Sequence, residues 1–443
     1  MDQKKFPEAK PYSPEEMKKG TPILLKANLV FGELETYADV LTKVEEISSQ
    51  RKHNYAPTLV VGTYKIYKEQ KLQLAFIGHI LSKFQKEKPS TGTIIGGGDK
   101  SHKIKLEPLY KEVEQTLRKL KNWISSQEPE VPHLILNKHC LYCPFQKECE
   151  AKAKEQDHLS LLKRMNEKEI IKQNNRGIFT TKQYSYTYRP RKRKNAKGER
   201  IIRHSHALKA LAIKDKKIYI VEKSKISMSN IMIFLDIEGI PDQNFYYLIG
   251  IVIIDHDSIK KLSLWANTKD EEKEIWKKFL IVIENYNEFT LFHYGNYEIK
   301  FIEKMSKKYS EEKNETIEKI IINSVNVLSL IYANIYFPTY SNSLKDIGLY
   351  LEYQWSEANA TGIQSIIWRH KWELTNNKEL KQKLITYNIE DCFALKRITE
   401  EIVNISNEDM ENSRIDIALT DDIKIEKNYA YHFGDVEFLT NGL

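Results

Sequence analysis

The sequence has 443 residues, and its 69 lysines and arginines exceed its 61 acidic residues to give a formal net charge of +8. At about 150 residues per domain, this length suggests roughly three domains. Hydrophobic residues make up 41% of the sequence and charged residues 29%. This mixture can bury a sizeable core, so it excludes wholesale disorder, a collagen-like repeat and a small disulfide-rich protein.

Hydropathy predicts neither a membrane span nor a signal peptide. The longest uncharged apolar run, residues 246–254, is too short to span a bilayer, and residues 1–6 lack the apolar core of a signal peptide. We therefore expect a cytoplasmic protein with no membrane partner. Three of the four cysteines are clustered, which in a reducing compartment favours a metal or cluster site over disulfides.

The N-terminal part of the chain is predicted to mix strands and helices. Apolar spacing predicts two strands and two helices, at residues 23–31, 58–61, 105–126 and 157–174. Residues 159–183, with a turn at Gly177, resemble a helix-hairpin-helix, in which the turn presents backbone amides to phosphate. A pair of helices joined by a glycine C-cap is the alternative.

A basic run follows between residues 189 and 203, where eight cations accompany a single anion, Glu199. The run lacks apolar periodicity over its first twelve residues, which indicates an exposed linker and a domain boundary. Three tyrosines precede it, and aromatic side chains beside cations suit stacking on bases and pairing with phosphates. A solvated linker that binds nothing is the alternative. The residues predicted to bind nucleic acid here are Arg189, Arg191, Lys192, Arg193 and Lys194.

After the basic run, apolar strands alternate with helices. The predicted strands are residues 231–235, 245–254, 261–266 and 290–292. The predicted helices are residues 271–285, 297–307, 343–352 and 379–404. Three consecutive strands followed by strand and helix alternation indicate a mixed-sheet α/β domain.

The strongest chemical signal is a pair of carboxylates at the end of an apolar run. Asp236 and Glu238 stand two residues apart, so both lie on the same face of one strand. Two adjacent carboxylates on a buried strand repel each other unless a divalent cation neutralises them. Magnesium or manganese ions suit such oxygen ligands and drive attack on phosphodiesters. A strand end at which two acids meet solvent is the alternative.

Two further acidic elements follow in the chain. Glu298 is predicted near the start of a helix, a favourable position for an anion. Tyr387 and Asp391 are separated by one helical turn, so a phenol and a carboxylate share one helix face. His293, at the end of a strand next to this site, is a candidate contact for the scissile phosphate, although a hydrogen-bonded structural histidine is the commoner case.

These residues resemble the DEDD exonucleases of the ribonuclease H-like superfamily. Asp236 and Glu238 match the first motif, Glu298 stands where the second usually has aspartate, and Tyr387 with Asp391 matches the YxxxD form of the third. The resemblance implies that the four carboxylates hold two Mg²⁺ or Mn²⁺ ions. It also implies that the tyrosine orients or deprotonates the attacking water. The longer glutamate at position 298 changes the geometry that this ligand can offer.

Residues 21–150 resemble, more weakly, the PD-(D/E)xK module of bacterial RecB-like nucleases. Asp39, Lys65 and Gln73 match the acid, the lysine and the following glutamine of that motif. Thr63 stands where the pattern requires a second carboxylate, so this site is expected to be degenerate and inactive. The family's early segment before residue 20 is also missing, which suggests N-terminal truncation. A partner chain that supplies that segment is a further expectation.

The clustered cysteines have the spacing of an ancestral metal site. Cys140, Cys143 and Cys149 form a CxxC followed by a third cysteine, and thiolates so arranged can converge on one centre. In the RecB-like relatives, these positions supply three of the four ligands of a [4Fe–4S] cluster. The fourth ligand belongs to the missing segment, so we expect the iron–sulfur cluster, or a zinc ion in its place, to be lost.

These resemblances imply an α/β protein of three parts. Residues 1–155 are a partial PD-(D/E)xK-type α/β module with the three-cysteine cluster, residues 156–205 a short helical and basic connector, and residues 206–443 a ribonuclease H-like mixed sheet with flanking helices. The implied function is a two-metal 3′-to-5′ exonuclease that acts on single-stranded DNA in preference to RNA. The alternative is a catalytically inactive nucleic-acid-binding protein derived from a truncated RecB-like nuclease.

Overall fold

The chain forms two compact units, Met1–Pro132 and His133–Leu443. The computed structural model describes residues 8–44, 53–128, 133–190, 203–223, 226–309, 315–357, 361–407, 417–420 and 423. The boundary between the units lies before the three-cysteine segment, which therefore belongs to the second unit. The sequence analysis predicted this segment to be part of the first domain, residues 1–155. The predicted division into three domains stays a prediction.

The first unit is built on one six-stranded sheet. Its strands are β1 (Ala9–Pro11), β2 (Ile23–Phe31), β3 (Leu34–Val44), β4 (Asn54–Val60), β5 (Thr91–Ile95) and β6 (Ser101–Lys105). Its helices are α1 (Pro14–Lys19), α2 (Lys68–Gln85) and α3 (Glu107–Ile124). The strands are ordered as in the sequence, with β1 parallel to β2, β4 parallel to β5, and the other neighbours antiparallel. The two strands and the first helix that the sequence predicted here are confirmed.

Helix α2 covers one face of this sheet because its apolar residues recur at helical spacing. Leu74, Ile77 and Leu81 are fully buried in the core of the unit. Gly78 lets α3 approach closely, since a Cβ atom there would lie 2.6 Å from the hydroxyl oxygen of Tyr110. The hydroxyl group of Tyr110 donates to the carbonyl oxygen of Pro89, which satisfies its polar end.

The second unit begins with short helices. They are α4 (Gln146–Glu155), α5 (Glu167–Asn174), α6 (Thr181–Ser185) and α7 (His206–Asp215). The predicted helix at 157–174 is wrong in its first half, where residues 159–161 form only a 3₁₀ turn. The helix starts at Glu167 because the Asn166 side chain caps it and Glu169 caps Asn166 in return. A turn with Gly177 at φ 76° separates α5 from α6, and the helix-hairpin-helix role stays a prediction.

The remainder of the second unit contains two sheets and seven further helices within the described residues. The strands are β7 (Ile218–Ile220), β8 (Ile231–Ile240), β9 (Phe245–Asp255), β10 (Ser258–Trp265), β11 (Thr290–His293), β12 (Ser324–Asn326), β13 (Ile335–Tyr336) and β14 (Ile417–Leu419). The helices are α8 (Glu272–Glu284), α9 (Tyr297–Lys308), α10 (Glu315–Ile322), α11 (Val327–Ile331), α12 (Leu344–Tyr350), α13 (Gly362–Thr375) and α14 (Lys378–Asn407).

The larger sheet is mixed and runs in the order β10–β9–β8–β11–β12. Strands β10, β9 and β8 are antiparallel neighbours, and β11 lies parallel to both β8 and β12. The smaller sheet has the order β13–β7–β14. The predicted mixed-sheet α/β class is confirmed, as are the four predicted strands and the four predicted helices of this region, with β8 extending five residues further than predicted.

Helices cover both faces of the larger sheet. On one face, Ile233 and Leu235 of β8 pack in a core with Trp276 of α8 and Phe301 of α9. On the other face, Phe234 packs in a core with side chains of α14. Side chains alternate along a strand, so the residues two and four positions after Phe234 also face α14. Across the described ranges, no helix is both long and apolar enough to cross a membrane.

Candidate metal and catalytic site

Strand β8 presents Asp236 and Glu238 on the face that α14 covers. Both side chains are half-buried. Leu235, which precedes Asp236, and Ile237, which lies between the two carboxylates, are buried on the opposite face. Asp391 of α14 reaches the same place, and one ligand oxygen from each of the three carboxylates lies within 4.8 Å of the others. Residues 155 positions apart in the sequence thus form one acidic cluster, as the sequence predicted for these three.

Helix α14 also places Tyr387 at this cluster. Tyr387 and Asp391 are one turn apart, and the tyrosine hydroxyl donates a hydrogen bond to the carboxylate. Burial and the charge of Asp391 raise the pKa of Tyr387, so the phenol keeps its proton at neutral pH. Of the two roles that the resemblance left open, this favours orienting a water molecule over removing its proton.

Each carboxylate of the cluster accepts a hydrogen bond from a residue that the sequence reasoning missed. The amide nitrogen of Asn388 donates to Asp236 at 2.5 Å, and the hydroxyl of Ser365 on α13 donates to Glu238 at 2.8 Å. The indole nitrogen of Trp355 donates to Asp391 at 2.7 Å. Only Asn388 had a sequence signal, since it lies three residues before Asp391 and therefore on the same helix face.

A glycine on β9 makes room for Asn388. Gly250 is paired with Asp236 across the two strands. A Cβ atom at Gly250 would lie 2.0 Å from the side-chain oxygen of Asn388, which is fully buried. The close approach of α14 to the sheet, and with it the hydrogen bonds from Asn388 to Asp236, therefore depends on this glycine.

The carboxylates of the cluster bind protons more tightly than usual. Burial, followed by the charges of Asp391, Glu238 and Glu298, raises the pKa of Asp236 well above its ordinary value. Burial raises the pKa of Glu238 to about 8, although the hydrogen bond from Ser365 acts to lower it. Burial also raises the pKa of Asp391 to about 7, although hydrogen bonds from Trp355 and Tyr387 oppose it. Such shifts are typical of acidic groups gathered without a cation to neutralise them.

Glu298 lies in the first turn of α9 and is buried, with 4% of its surface exposed. Its charge acts on both Asp236 and Glu238, although it lies outside the cluster of three. Its Oε2 atom is 3.7 Å from Nδ1 of His293 and accepts no hydrogen bond within the described part of the chain. His293 is itself buried, so its predicted contact with nucleic acid stays a prediction.

The side chains of this site fit a divalent cation. Three carboxylates supply only oxygen ligands, which magnesium and manganese prefer. Asp236, Glu238 and Asp391 would hold the ion or ions, and the buried Oε2 of Glu298 offers a further oxygen with no hydrogen bond from the described residues. A bound cation would offset the burial and the mutual repulsion that raise the pKa values of the cluster.

The first unit does not gather a comparable set of ligands within its described residues. The carboxylate of Asp39 accepts a hydrogen bond from the backbone nitrogen of Val60 at 2.7 Å. Lys65 and Gln73 are exposed, and the hydroxyl of Thr63 accepts a hydrogen bond from Gln70. Among the residues described, Asp39 belongs to no group of three potential metal ligands. The degenerate second site stays a prediction.

The cysteines are free thiols in the described structure. Cys140 and Cys149 are partly exposed and Cys143 is exposed. Cys140 accepts a hydrogen bond from the backbone nitrogen of Asn137 at 3.2 Å, and no cysteine of the described ranges joins a group of three potential metal ligands. Nothing here supports an iron–sulfur cluster. Cys392 is buried in α14.

Most of the basic run lies outside the described residues. Arg189 is described, and its guanidinium group donates to the carbonyl oxygens of Tyr186 and Tyr188. Arg191, Lys192, Arg193 and Lys194 lie outside the described residues, so their predicted contacts with nucleic acid stay predictions.

A comparison with known protein families finds a match within the second unit. Residues 233–403 match the family model RNase_H_2, of the RNase H superfamily. The matched segment begins within β8, ends within α14 and includes every residue of the acidic site. No curated protein matches the chain at a significant level.

Proposed function

We propose that this chain, whose residues 233–403 form a ribonuclease H-like domain, is a metal-dependent nuclease that hydrolyses phosphodiester bonds. One observation carries the proposal: three carboxylates from a strand and a distant helix converge within 4.8 Å. Asn388, Ser365 and Trp355 each orient one of them. Partners that fix ligand orientation in this way are typical of metal centres.

The residues of the site divide the work of hydrolysis. Asp236, Glu238 and Asp391 would hold two Mg²⁺ or Mn²⁺ ions. When bound, such ions supply a water of lowered pKa and neutralise the charge that develops on the phosphate. Tyr387 donates a hydrogen bond to Asp391 and keeps its proton, so it can position the attacking water at the edge of the cluster. Glu298 adds negative charge from the start of α9.

We further propose that cleavage is exonucleolytic, from a 3′ end, and favours single-stranded DNA over RNA. The support is the combination of Tyr387 and Asp391 one turn apart on α14, which resembles the YxxxD motif of DEDD exonucleases. The residues that support this proposal all lie in the second unit. The resemblance of that unit to a PD-(D/E)xK module remains part of the proposal.

The test is cleavage of 5′-labelled single-stranded DNA and RNA in Mg²⁺ or Mn²⁺ by the wild type and by Asp236→Asn. The substitution keeps the shape of the side chain but removes a charged ligand, worth several kcal/mol of transition-state stabilisation, so we expect cleavage to fall about 10³-fold. Glu303→Gln is the matched control, because Glu303 is an exposed carboxylate of α9 outside the site. It should cleave like the wild type.

A ladder of shortened products that requires metal and a free 3′ end supports the whole proposal. Cleavage of circular single strands would replace the exonuclease with an endonuclease. Cleavage that survives Asp236→Asn at the wild-type rate would contradict the site. If neither nucleic acid is cut although both are bound, the catalytically inactive binding protein is the correct account.

A further inference from the structure

Three cavities of the second unit meet at His204. One of about 580 Å³ lies between α5, α6 and the start of α7. A second of about 410 Å³ extends to residues 340–344, and a third of about 570 Å³ is lined by Arg203, His204 and Tyr332. His204 lines all three, and we call the three cavities together the His204 groove.

The His204 groove is lined mainly by positive charge. Six basic side chains line it, namely Lys163, Arg164, Arg176, Arg189, Arg203 and Lys209. Its one carboxylate, Glu169, is engaged with the backbone nitrogen of Asn166. Arg164, Arg176 and Arg203 form no salt bridge with any residue that the structure describes. Cations held in a concave surface without acidic partners attract anions.

The pKa of His204 is consistent with the positive charge of the groove. Burial, followed by the positive charges of His206, Lys209 and Arg164, lowers the pKa of His204 to about 4. Lys209 lines the second cavity but is largely buried, and it donates to the carbonyl oxygen of Phe337 and to Asn342. His204 is therefore neutral at pH 7 and acts in the groove as a flat aromatic ring.

Planar side chains form one wall of the groove. The ring of His204 stacks on Tyr332 at 5.0 Å and on Tyr336 at 5.4 Å between centroids, with planes tilted by 11° and 16°. The guanidinium group of Arg164 lies 5.2 Å from the ring of Tyr332. Proteins that bind single-stranded nucleic acids combine cations, which attract the phosphate backbone, with aromatic rings, on which bases stack.

The groove leads to the acidic site along two chain segments. Tyr294 and Leu344 line its second cavity. The residue before Tyr294 is His293, which lies 3.7 Å from Glu298. The residue after Leu344 is Lys345, whose charge lowers the pKa of Asp391. Each segment therefore passes directly from the groove to the acidic site.

We propose that the His204 groove binds the phosphodiester backbone of a single nucleic-acid strand, with Arg176 and Arg203 contacting phosphates. A strand is favoured over a duplex because the bases of a duplex are stacked inside and cannot reach side chains within a cavity. Only the direction of the strand towards the acidic site rests on the proposed nuclease function. Arg176 and Arg203 lie outside the matched segment, so the groove adds a binding surface to the catalytic domain.

The test measures binding without catalysis. The anisotropy of fluorescein-labelled oligonucleotides of about twenty deoxythymidines or twenty uridines is followed in EDTA, over a range of salt concentrations. The full chain is compared with Arg176→Gln/Arg203→Gln. Each phosphate contact to a single strand contributes about 0.7 to the slope of log K against log salt, so the double variant should lose about 1.4 of that slope. Its affinity at low salt should fall at least tenfold.

The control variant is Lys277→Gln/Lys307→Gln, which removes two exposed lysines of α8 and α9 that line none of the three cavities. It should bind like the wild type. Equal affinity and equal salt slope for all three proteins would overturn the proposal, whether or not the protein cuts nucleic acid. Loss of binding to DNA but not RNA, or the reverse, would identify the strand. Circular dichroism of the double variant excludes unfolding as the cause, and Arg176→Lys/Arg203→Lys should restore binding.

Discussion

At the scale of single residues, the acidic site depends on contacts that hold its carboxylates in place. Asn388 binds both the backbone oxygen and the carboxylate of Asp236, and it can do so only because Gly250 has no side chain. Hydrogen bonds of this kind commonly contribute 10- to 100-fold to activity or metal affinity. Gly250 is therefore a positioning residue, although it touches no substrate.

We predict that Gly250→Ala lowers the rate of metal-dependent cleavage by about 10- to 100-fold and weakens Mn²⁺ binding measured by calorimetry. The added methyl group would overlap the side chain of Asn388, which is fully buried. Gly62→Ala is the matched control, because no atom lies within 4 Å of a Cβ at that position. Equal metal affinity in the Gly250 and Gly62 variants would show that Asn388 does not position Asp236.

The same residues predict how stability depends on pH. The pKa of Glu238 rises from an ordinary value of 4.5 to about 8, chiefly through burial. The folded chain then binds more protons than the unfolded chain between these two values, so its stability falls as the pH rises from about 4.5 to 8. Below pH 4.5 the carboxyl is protonated in both states, and the penalty is absent.

We expect Glu238→Gln to raise the Tm of the metal-free protein at pH 8 and to change it little at pH 5, as measured by thermal unfolding in EDTA. A glutamine oxygen still accepts the hydrogen bond from Ser365 but carries no charge. Mn²⁺ should stabilise the wild type and leave the variant almost unchanged. A variant that is less stable than the wild type at pH 8 in EDTA would contradict this explanation.

At the scale of elements, the sequence predicted β8 and α14 because their patterns are local. An apolar run marks the strand, and Tyr387 with Asp391 shows the period of a helix. The partners of the carboxylates were not predictable, since Ser365 and Trp355 come from segments whose place depends on tertiary packing. Helix α13 was missed altogether. The predicted helix at 157–174 failed in its first half because the cap at Asn166 outweighs apolar spacing.

Helix α13 is fixed by a buried arginine. Arg369 is fully buried, donates to the carbonyl oxygens of Ala266 and Asn267 at 2.9 and 2.6 Å, and pairs with Glu373. Its guanidinium group also lies 4.4 Å from the centroid of the Trp372 ring. These contacts hold the helix that brings Ser365 to Glu238.

We predict that Arg369→Lys lowers the free energy of unfolding by about 3 kcal/mol, because a lysine cannot donate in two directions and leaves buried carbonyl groups without partners. Urea unfolding measures this as a lower midpoint with an unchanged slope. Arg397→Lys is the control, since Arg397 forms a partly exposed pair with Glu401 one turn away. It should change stability by less than about 0.5 kcal/mol. Similar losses in both variants would contradict a special role for Arg369.

At the scale of the whole molecule, the two units differ in what the sequence alone could establish. In the second unit, three acidic elements in a fixed order predicted a site, and the fold brings Asp236, Glu238 and Asp391 together. In the first unit, the matching residues are few, and Asp39 binds a backbone amide rather than joining other ligands in the described structure.

The His204 groove also could not be predicted as a site from the sequence alone. Its residues come from α5, the start of α7 and the segments after α11 and β13, so only the folded chain brings them together. The sequence pointed to positive charge between residues 189 and 203, and two described residues of that run, Arg189 and Arg203, do line the groove. Lys163, Arg164 and Arg176 lie within residues 159–183, whose resemblance to a helix-hairpin-helix pointed to phosphate through backbone amides rather than through these side chains.

The most direct test of the acidic site is a crystal structure of the protein soaked in Mn²⁺, with an anomalous difference map calculated at the manganese edge. We predict anomalous peaks between Asp236, Glu238 and Asp391, at oxygen distances of about 2.0–2.2 Å, which disappear in Asp236→Asn. A map with no peak at these carboxylates, in crystals whose protein cleaves nucleic acid in Mn²⁺, would contradict it.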